Sequence, residues 1–132
     1  MAKTFTKLIF PELSYGLTGV LFNVHNKLGR FCNEKQYSDA IEHYLKCGKI
    51  IYEKEKVVPK DQSFEKERRN IIDFLIDDKI ILEIKAKRIL TKGDYYQLKR
   101  YLICFNKKLG IIVNFRQKYI RPYRVLNSDI RN

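Results

Sequence analysis

No apolar run in the 132-residue sequence approaches the ~20 residues that a membrane-spanning helix needs. The N-terminal apolar stretch, Leu8 to Phe10, is too short for the ~7–15-residue core of a signal peptide. A cytoplasmic protein with no membrane partner is therefore expected. Cysteine is scarce: Cys32, Cys47 and Cys104 are odd in number, widely spaced and form no C-x-x-C pair. That excludes a disulfide framework and fits a reducing cytosol, with Cys47 and Cys104 expected in or near the core. The three Pro and six Gly are scattered, and no repeat, low-complexity tract or Pro/Gly/Ser linker appears. Residues 1–132 are expected to fold as one domain, a length that buries roughly two-thirds of its unfolded surface. No Gly-rich phosphate loop is present. His43 and Cys47 share a helix face, but no second pair has zinc-ligand spacing, which excludes zinc and a Cys/His nucleophile pair. Acidic residues are in short supply, 15 against 27 basic, for a net charge of +12. That excess fits a polyanion partner, and it fits simple solubility equally well.

What is present is mixed helix and strand patterning. Leu13, Leu17, Val20, Leu21, Val24 and Leu28 recur at helical spacing over Glu12 to Leu28, with Pro11 at the start and Gly29 as the stop. Asn33 can cap a second helix with Gln36 three positions on; Tyr37, Ala40, Ile41, Tyr44 and Leu45 form its apolar stripe before Gly48. The period then changes. Lys49 to Val58 reads as a strand ending at Pro59, and Lys60 to Glu67 as a loop. Asn70 to Ile76 and Lys79 to Lys87 read as a hairpin turning at Asp77-Asp78. A third helix is expected over Gly93 to Asn106. Ile111-Ile112-Val113 suits a strand covered on both faces, and a last strand is expected near Tyr123 to Leu126. The order α, α, β, β, β, α, β, β implies an α/β domain with a mixed sheet.

The chemistry concentrates in the hairpin. Asp73 stands among Ile71, Ile72, Phe74, Leu75 and Ile76, where a lone carboxylate loses several kcal/mol unless paired or bound to a cation. On the next strand Leu82, Ile84 and Ala86 point one way and Glu83, Lys85 and Lys87 the other. A three-residue loop, Asp77-Asp78-Lys79, would set Asp73 opposite Glu83 on one face. A two-residue loop would set them on opposite faces unless a bulge intervenes. In the first register two carboxylates converge, and Mg²⁺ resolves their repulsion because it takes one or two carboxylates with waters and phosphate oxygens. Lys85, two residues on, can orient an attacking water or stabilise charge on a phosphorus centre.

Asp73-x9-Glu83-x-Lys85 resembles the signature of the PD-(D/E)XK nuclease superfamily. The chain is similar in particular to the GxxExxY family of prokaryotic proteins. The similarity runs from about Leu13 to Leu126 and includes VHNKLG at Val24 to Gly29, Glu34-x-x-Tyr37, DFLI at Asp73, LEIKA at Leu82 and NF at Asn114-Phe115. Two positions depart from the pattern: Ile72 replaces Pro before Asp73, and Phe31 stands three residues before Glu34 where the name motif has Gly. The resemblance implies a PD-(D/E)XK core, a central mixed sheet flanked by helices, with an extra N-terminal helix. It implies a Mg²⁺- or Mn²⁺-dependent nuclease acting on nucleic acid, DNA ahead of RNA. Asp73 and Glu83 would ligate the metal, with the Ile84 carbonyl as a further ligand, and Lys85 would assist the water. Glu34, spaced with Tyr37 and Ile41 on the inner side of its helix, would complete the acidic cluster; a first-turn Glu favoured by the helix dipole is the plainer reading.

Gln97-x3-Tyr101 on the third helix resembles the Q-x3-Y element of RecB-type nucleases, which helps bind DNA, although Tyr101 also fits the core stripe. Basic residues cluster at Arg68-Arg69, Lys85-Lys87-Arg88, Lys92, Lys99-Arg100, Lys107-Lys108, Arg116, Lys118, Arg121 and Arg124, with Tyr95, Tyr96, Tyr119 and Tyr123 interleaved as stacking surfaces. Lys87, Arg88, Lys92, Gln97, Arg100 and Tyr101 are the expected nucleic-acid contacts, and the acids from Glu53 to Glu67 a solvated face. A non-catalytic nucleic-acid-binding module on the same fold and a protein-interaction domain are the alternatives.

Overall fold

Three helices and five strands follow the expected order: α1 (Pro11–Leu28), α2 (Glu34–Cys47), β1 (Tyr52–Val57), β2 (Ile71–Ile76), β3 (Ile80–Lys85), α3 (Lys92–Phe105), β4 (Leu109–Asn114) and β5 (Tyr123–Leu126). The structure, a computed structural model, describes residues 9–58 and 71–128. Pro59, the expected loop Lys60 to Glu67, Arg68-Arg69 and Asn70 lie outside the described residues.

The five strands form one mixed sheet in the order β1-β2-β3-β4-β5. All neighbours are antiparallel except β3 and β4, which run parallel. Parallel neighbours need a long crossover, and α3 supplies it. α1 and α2 cover one face through Leu17, Leu21, Val24, Tyr37, Ile41 and Leu45 against Phe74, Ile76, Leu82, Ile84, Ile111 and Val113. α3 covers the other, with Leu98, Tyr101 and Leu102 on Ile72, Leu75, Ile81 and Ile112. β4 is buried along its whole length, as a strand with two covered faces should be. Gly110 permits the close approach of α3: a Cβ there would meet Leu98 side-chain carbons at 2.8–2.9 Å.

Local chemistry sets the ends. Asn33 and Gln36 form a capping box on α2, as the sequence indicates. α3 begins one residue earlier than expected because Thr91 and Asp94 form a second capping box. β3 ends at Lys85, so Lys87 belongs to the following loop. The hairpin takes the three-residue loop: Phe74 faces Leu82, Leu75 faces Ile81 and Ile76 faces Ile80. Asp77 and Asp78 both adopt left-handed backbone, at φ 49° and 57°, which Asp tolerates better than most residues. Cys47 and Cys104 are exposed on the outer faces of their helices, not near the core as expected; all three cysteines are free. No helix among the described residues is long and apolar enough to cross a membrane.

Candidate active site

The three-residue loop extends the hairpin register so that Asp73 stands across from Glu83. Their link is crosswise. The Asp73 N–H donates to Glu83 Oε1 at 3.2 Å, and the Ile84 N–H donates to Asp73 Oδ2 at 2.6 Å. Glu83 is only 4% exposed. Lys85 Nζ reaches Gln97 Oε1 on α3 at 3.4 Å, so the ammonium lies on the α3 side of the hairpin. The Lys85 carbonyl accepts from the Phe115 N–H toward β4. Carbonyls alternate along a strand, and the Ile84 carbonyl therefore faces β2 and the acids.

Electrostatics mark the pair. Burial pushes the Asp73 carboxyl up to about 6; the Ile84 N–H opposes this, and the charges of Glu34 and Glu55 add to it. Burial first, and then the Asp73 charge, push Glu83 up to about 8, against the Asp73 N–H and Lys85. Two carboxylates that resist ionising together are a strained pair without a cation.

Asp73 opens into a concavity of ≈ 260 Å³ lined by Glu34, Lys35 and Ser38 of α2 and by Lys54 and Glu55 of β1. Glu34, the first residue of α2, stands at the rim of the concavity one turn before Ser38 and is exposed rather than buried. Lys35 and Lys54 are engaged by Asp39, and Lys54 also by Glu42. Glu55 was hidden in a run that reads as solvated. The registered pairs of β1 and β2 pass from Lys54↔Phe74 to Lys56↔Ile72, leaving Glu55 across from Asp73. Glu55 has left-handed backbone at φ 55°. At the same level β2 loses its alternation: Ile72 and Leu75 pack under α3, whereas Phe74 and Ile76 pack under α1 and α2. The sequence signals neither distortion. Among the described residues, no three His, Cys, Asp or Glu side chains converge closely enough to hold an ion by themselves. Asp73, Glu83 and the Ile84 carbonyl carry oxygens of the hard type that Mg²⁺ takes, and they are the groups here that could hold one.

A family model of the PD-(D/E)XK nuclease superfamily matches residues 11–125, from the start of α1 into β5. The chain belongs to the PD-(D/E)XK nuclease superfamily. No curated protein and no solved structure matches it. The mixed sheet flanked by helices is consistent with the PD-(D/E)XK fold, and α1 is the extra N-terminal helix. Membership in this superfamily suggests nuclease activity and a nucleic-acid substrate, and its members generally use divalent metals such as Mg²⁺ or Mn²⁺.

The expected binding residues separate into two groups. Gln97 and Arg100 line a second hollow with Gly93 and Tyr96 at the start of α3. Arg88 and Lys92 are exposed, with no carboxylate partner among the described residues. Lys87 is instead paired with Asp94 at 2.9 Å, because its position after β3 faces the cap of α3. Tyr101 is 3% exposed and belongs to the core beneath α3, not to the surface. Burial raises its hydroxyl above the usual range, and the charge of Glu83 adds to this. Lys107 pairs with Asp78, and Arg124 donates to Ser14 and to the Ile9 carbonyl; both brace the fold. Tyr95 and Tyr123 face each other edge to face, while Tyr96 and Tyr119 stand open.

Proposed function

We propose that the chain is a divalent-metal-dependent nuclease of the GxxExxY branch, one domain over residues 1–132, hydrolysing phosphodiester bonds in nucleic acid, DNA ahead of RNA. The observation that carries this reading is the crosswise pairing of Asp73 and Glu83 on one hairpin with Lys85 beside them. Asp73, Glu83 and the Ile84 carbonyl would hold Mg²⁺ or Mn²⁺. The chemistry such an ion would supply there is Lewis acidity, offsetting negative charge on the phosphate. Lys85 orients the attacking water and presents its positive charge to the phosphorus centre. Glu34, at the rim beside Asp73, orients water from the α2 side. Arg88, Lys92 and Arg100 hold flanking phosphates, and Gln97 steadies Lys85. The three free thiols fit a reducing cytosol. The test is cleavage of linear and structured DNA and RNA with Mg²⁺ or Mn²⁺, beside Asp73→Ala and Lys85→Ala. Cleavage that persists unchanged in both variants sinks the assignment.

One observation favours a non-catalytic nucleic-acid-binding module on the same fold: no third carboxylate closes on the Asp73 pair among the described residues. That reading calls for salt-dependent binding without cleavage or metal uptake.

A further inference from the structure

Two loops beside the candidate site hold aromatic rings out into solvent although their backbones are firmly tied. The first joins α1 to α2 and carries Arg30 and Phe31; the second follows β4 and carries Lys118 and Tyr119. Phe31 and Tyr119 are each 78% exposed. Each ring has a cation over it from its own loop, Arg30 Cζ at 5.1 Å from the Phe31 centroid and Lys118 Nζ at 5.5 Å from that of Tyr119. No carboxylate pairs with Arg30 or Lys118 among the described residues.

The loops are fastened to each other and to the core. Arg30 Nε donates to the Arg116 carbonyl at 3.0 Å, and Arg116 Nη1 donates back to the Arg30 carbonyl at 2.9 Å. Below them Tyr37 and Phe115 stack in the core at 4.3 Å, and the Tyr37 hydroxyl donates to the Gly29 carbonyl at 2.6 Å. His25 Nε2 lies 2.9 Å from the Gln117 carbonyl. Arg116 Nη2 also reaches the carbonyls of Cys32 and of Ala86, the residue after Lys85. Glu34 begins α2 three residues after Phe31. The loops therefore border the edge that bears Glu34 and Lys85.

A single exposed ring is ordinary. Two rings, each backed by a cation that has no carboxylate partner among the described residues and carried on cross-tied loops, make a different surface. A rigid mount removes the ordering cost of presenting the rings to a ligand. Flat apolar faces beside positive charge match a chain of bases joined by phosphates. They do not match a closed duplex, whose base faces are already stacked.

We propose that Phe31 and Tyr119, with Arg30 and Lys118, form a stacking platform for unpaired nucleotides. Bases lie on the two rings and the cations hold the adjoining phosphates. The strand led to Asp73 is then single-stranded, or the unpaired end or flap of a duplex. The link to cleavage rests on the nuclease reading; the binding itself does not.

The test is anisotropy of labelled oligonucleotides in EDTA, where no cleavage occurs: single strand, blunt duplex of the same length, and an abasic strand. Single strand should bind at least roughly tenfold tighter than duplex, and the abasic strand should lose that advantage. Phe31→Ala and Tyr119→Ala should each weaken single-strand binding roughly tenfold while leaving duplex binding and the melting temperature unchanged. Phe31→Tyr and Tyr119→Phe should restore it. Abasic strand binding as tightly as normal strand, or equal losses on single strand and duplex, overturns the platform. So does binding to none of the three, which would leave the patch to a protein partner. Cleavage untouched by Asp73→Ala sinks the nuclease reading and leaves the platform standing; single-strand cleavage with no effect of either alanine does the reverse.

Discussion

The Asp73 N–H donates to the Glu83 carboxylate at 3.2 Å while the carboxylate of Asp73 is held by the N–H of Ile84 at 2.6 Å, so each acid is fixed by the strand opposite its own. Glu83 is held out of water and Asp73 is tethered where it meets the concavity, which is why the protonation of both becomes a property of the fold.

Stability should depend on pH in a direction set by that burial. Asp73 and Glu83 titrate higher folded than unfolded, so the folded chain keeps protons that the unfolded chain releases. The stabilisation is complete below the ordinary carboxylate range, about pH 4, and is lost as pH rises through about 6 for Asp73 and about 8 for Glu83. The loss is on the order of a few kcal/mol in metal-free protein. Melting followed from pH 4 to 9 should show it, with Glu83→Gln flattening its upper half and Mg²⁺ opposing it at high pH. An equal fall in wild type and Glu83→Gln contradicts the account.

Glu34→Gln and Glu55→Gln should each move the Asp73 titration downward, Glu34→Gln by more, because both charges raise it and that of Glu34 weighs more. Carboxyl carbon NMR reads this residue by residue. An Asp73 curve that neither change moves would place both acids too far away to matter.

Lys85→Gln should lower cleavage roughly 100-fold or more, as loss of a charge aimed at the transition state does. Gln97→Ala, which removes only a 3.4 Å tether to Lys85, should stay within roughly tenfold. Single-turnover cleavage rates separate the two, and equal losses would argue against this division of roles.

Arg116→Ala should cost about 1–3 kcal/mol, because its guanidinium serves three carbonyls on two segments. Arg116→Lys should recover little, since an ammonium does not reproduce the planar fork. Denaturant titration measures both. A Lys variant as stable as wild type would show that charge alone is needed.

Gly110→Ala should destabilise by about 1–3 kcal/mol through its contact with Leu98, which has no exposed side to retreat to. Leu98→Ala in the same chain should recover part of that loss. Melting of the two single variants and the double variant gives the coupling, and strict additivity would place the strain elsewhere.

Elements marked by periodicity and capping were legible in the sequence, α2 with its Asn33–Gln36 box most clearly. α3 starts earlier than its pattern suggests because Thr91 and Asp94 are a capping pair and Gly93 merely sits inside it. Asp73, Glu83 and Lys85 stood out because a carboxylate in an apolar strand is costly. Their register did not, since Asp77-Asp78 fits either loop and only the observed pairing of Ile76 with Ile80 settles it. Glu55 was unreadable for a related reason: no residue type announces a left-handed turn inside a strand when that residue is Glu. Tyr101 satisfied a motif and a core stripe at once, and burial decided for the core.

The break at Glu55 has a second effect. β1 is an outer strand of the sheet, and outer strands invite pairing with other chains. A strand whose ladder is interrupted at its middle and whose residues Glu53, Lys54, Glu55 and Lys56 are all charged is a poor template for that. The distortion that sets Glu55 at the level of Asp73 thus also makes this border of the sheet a poor site for pairing with another chain.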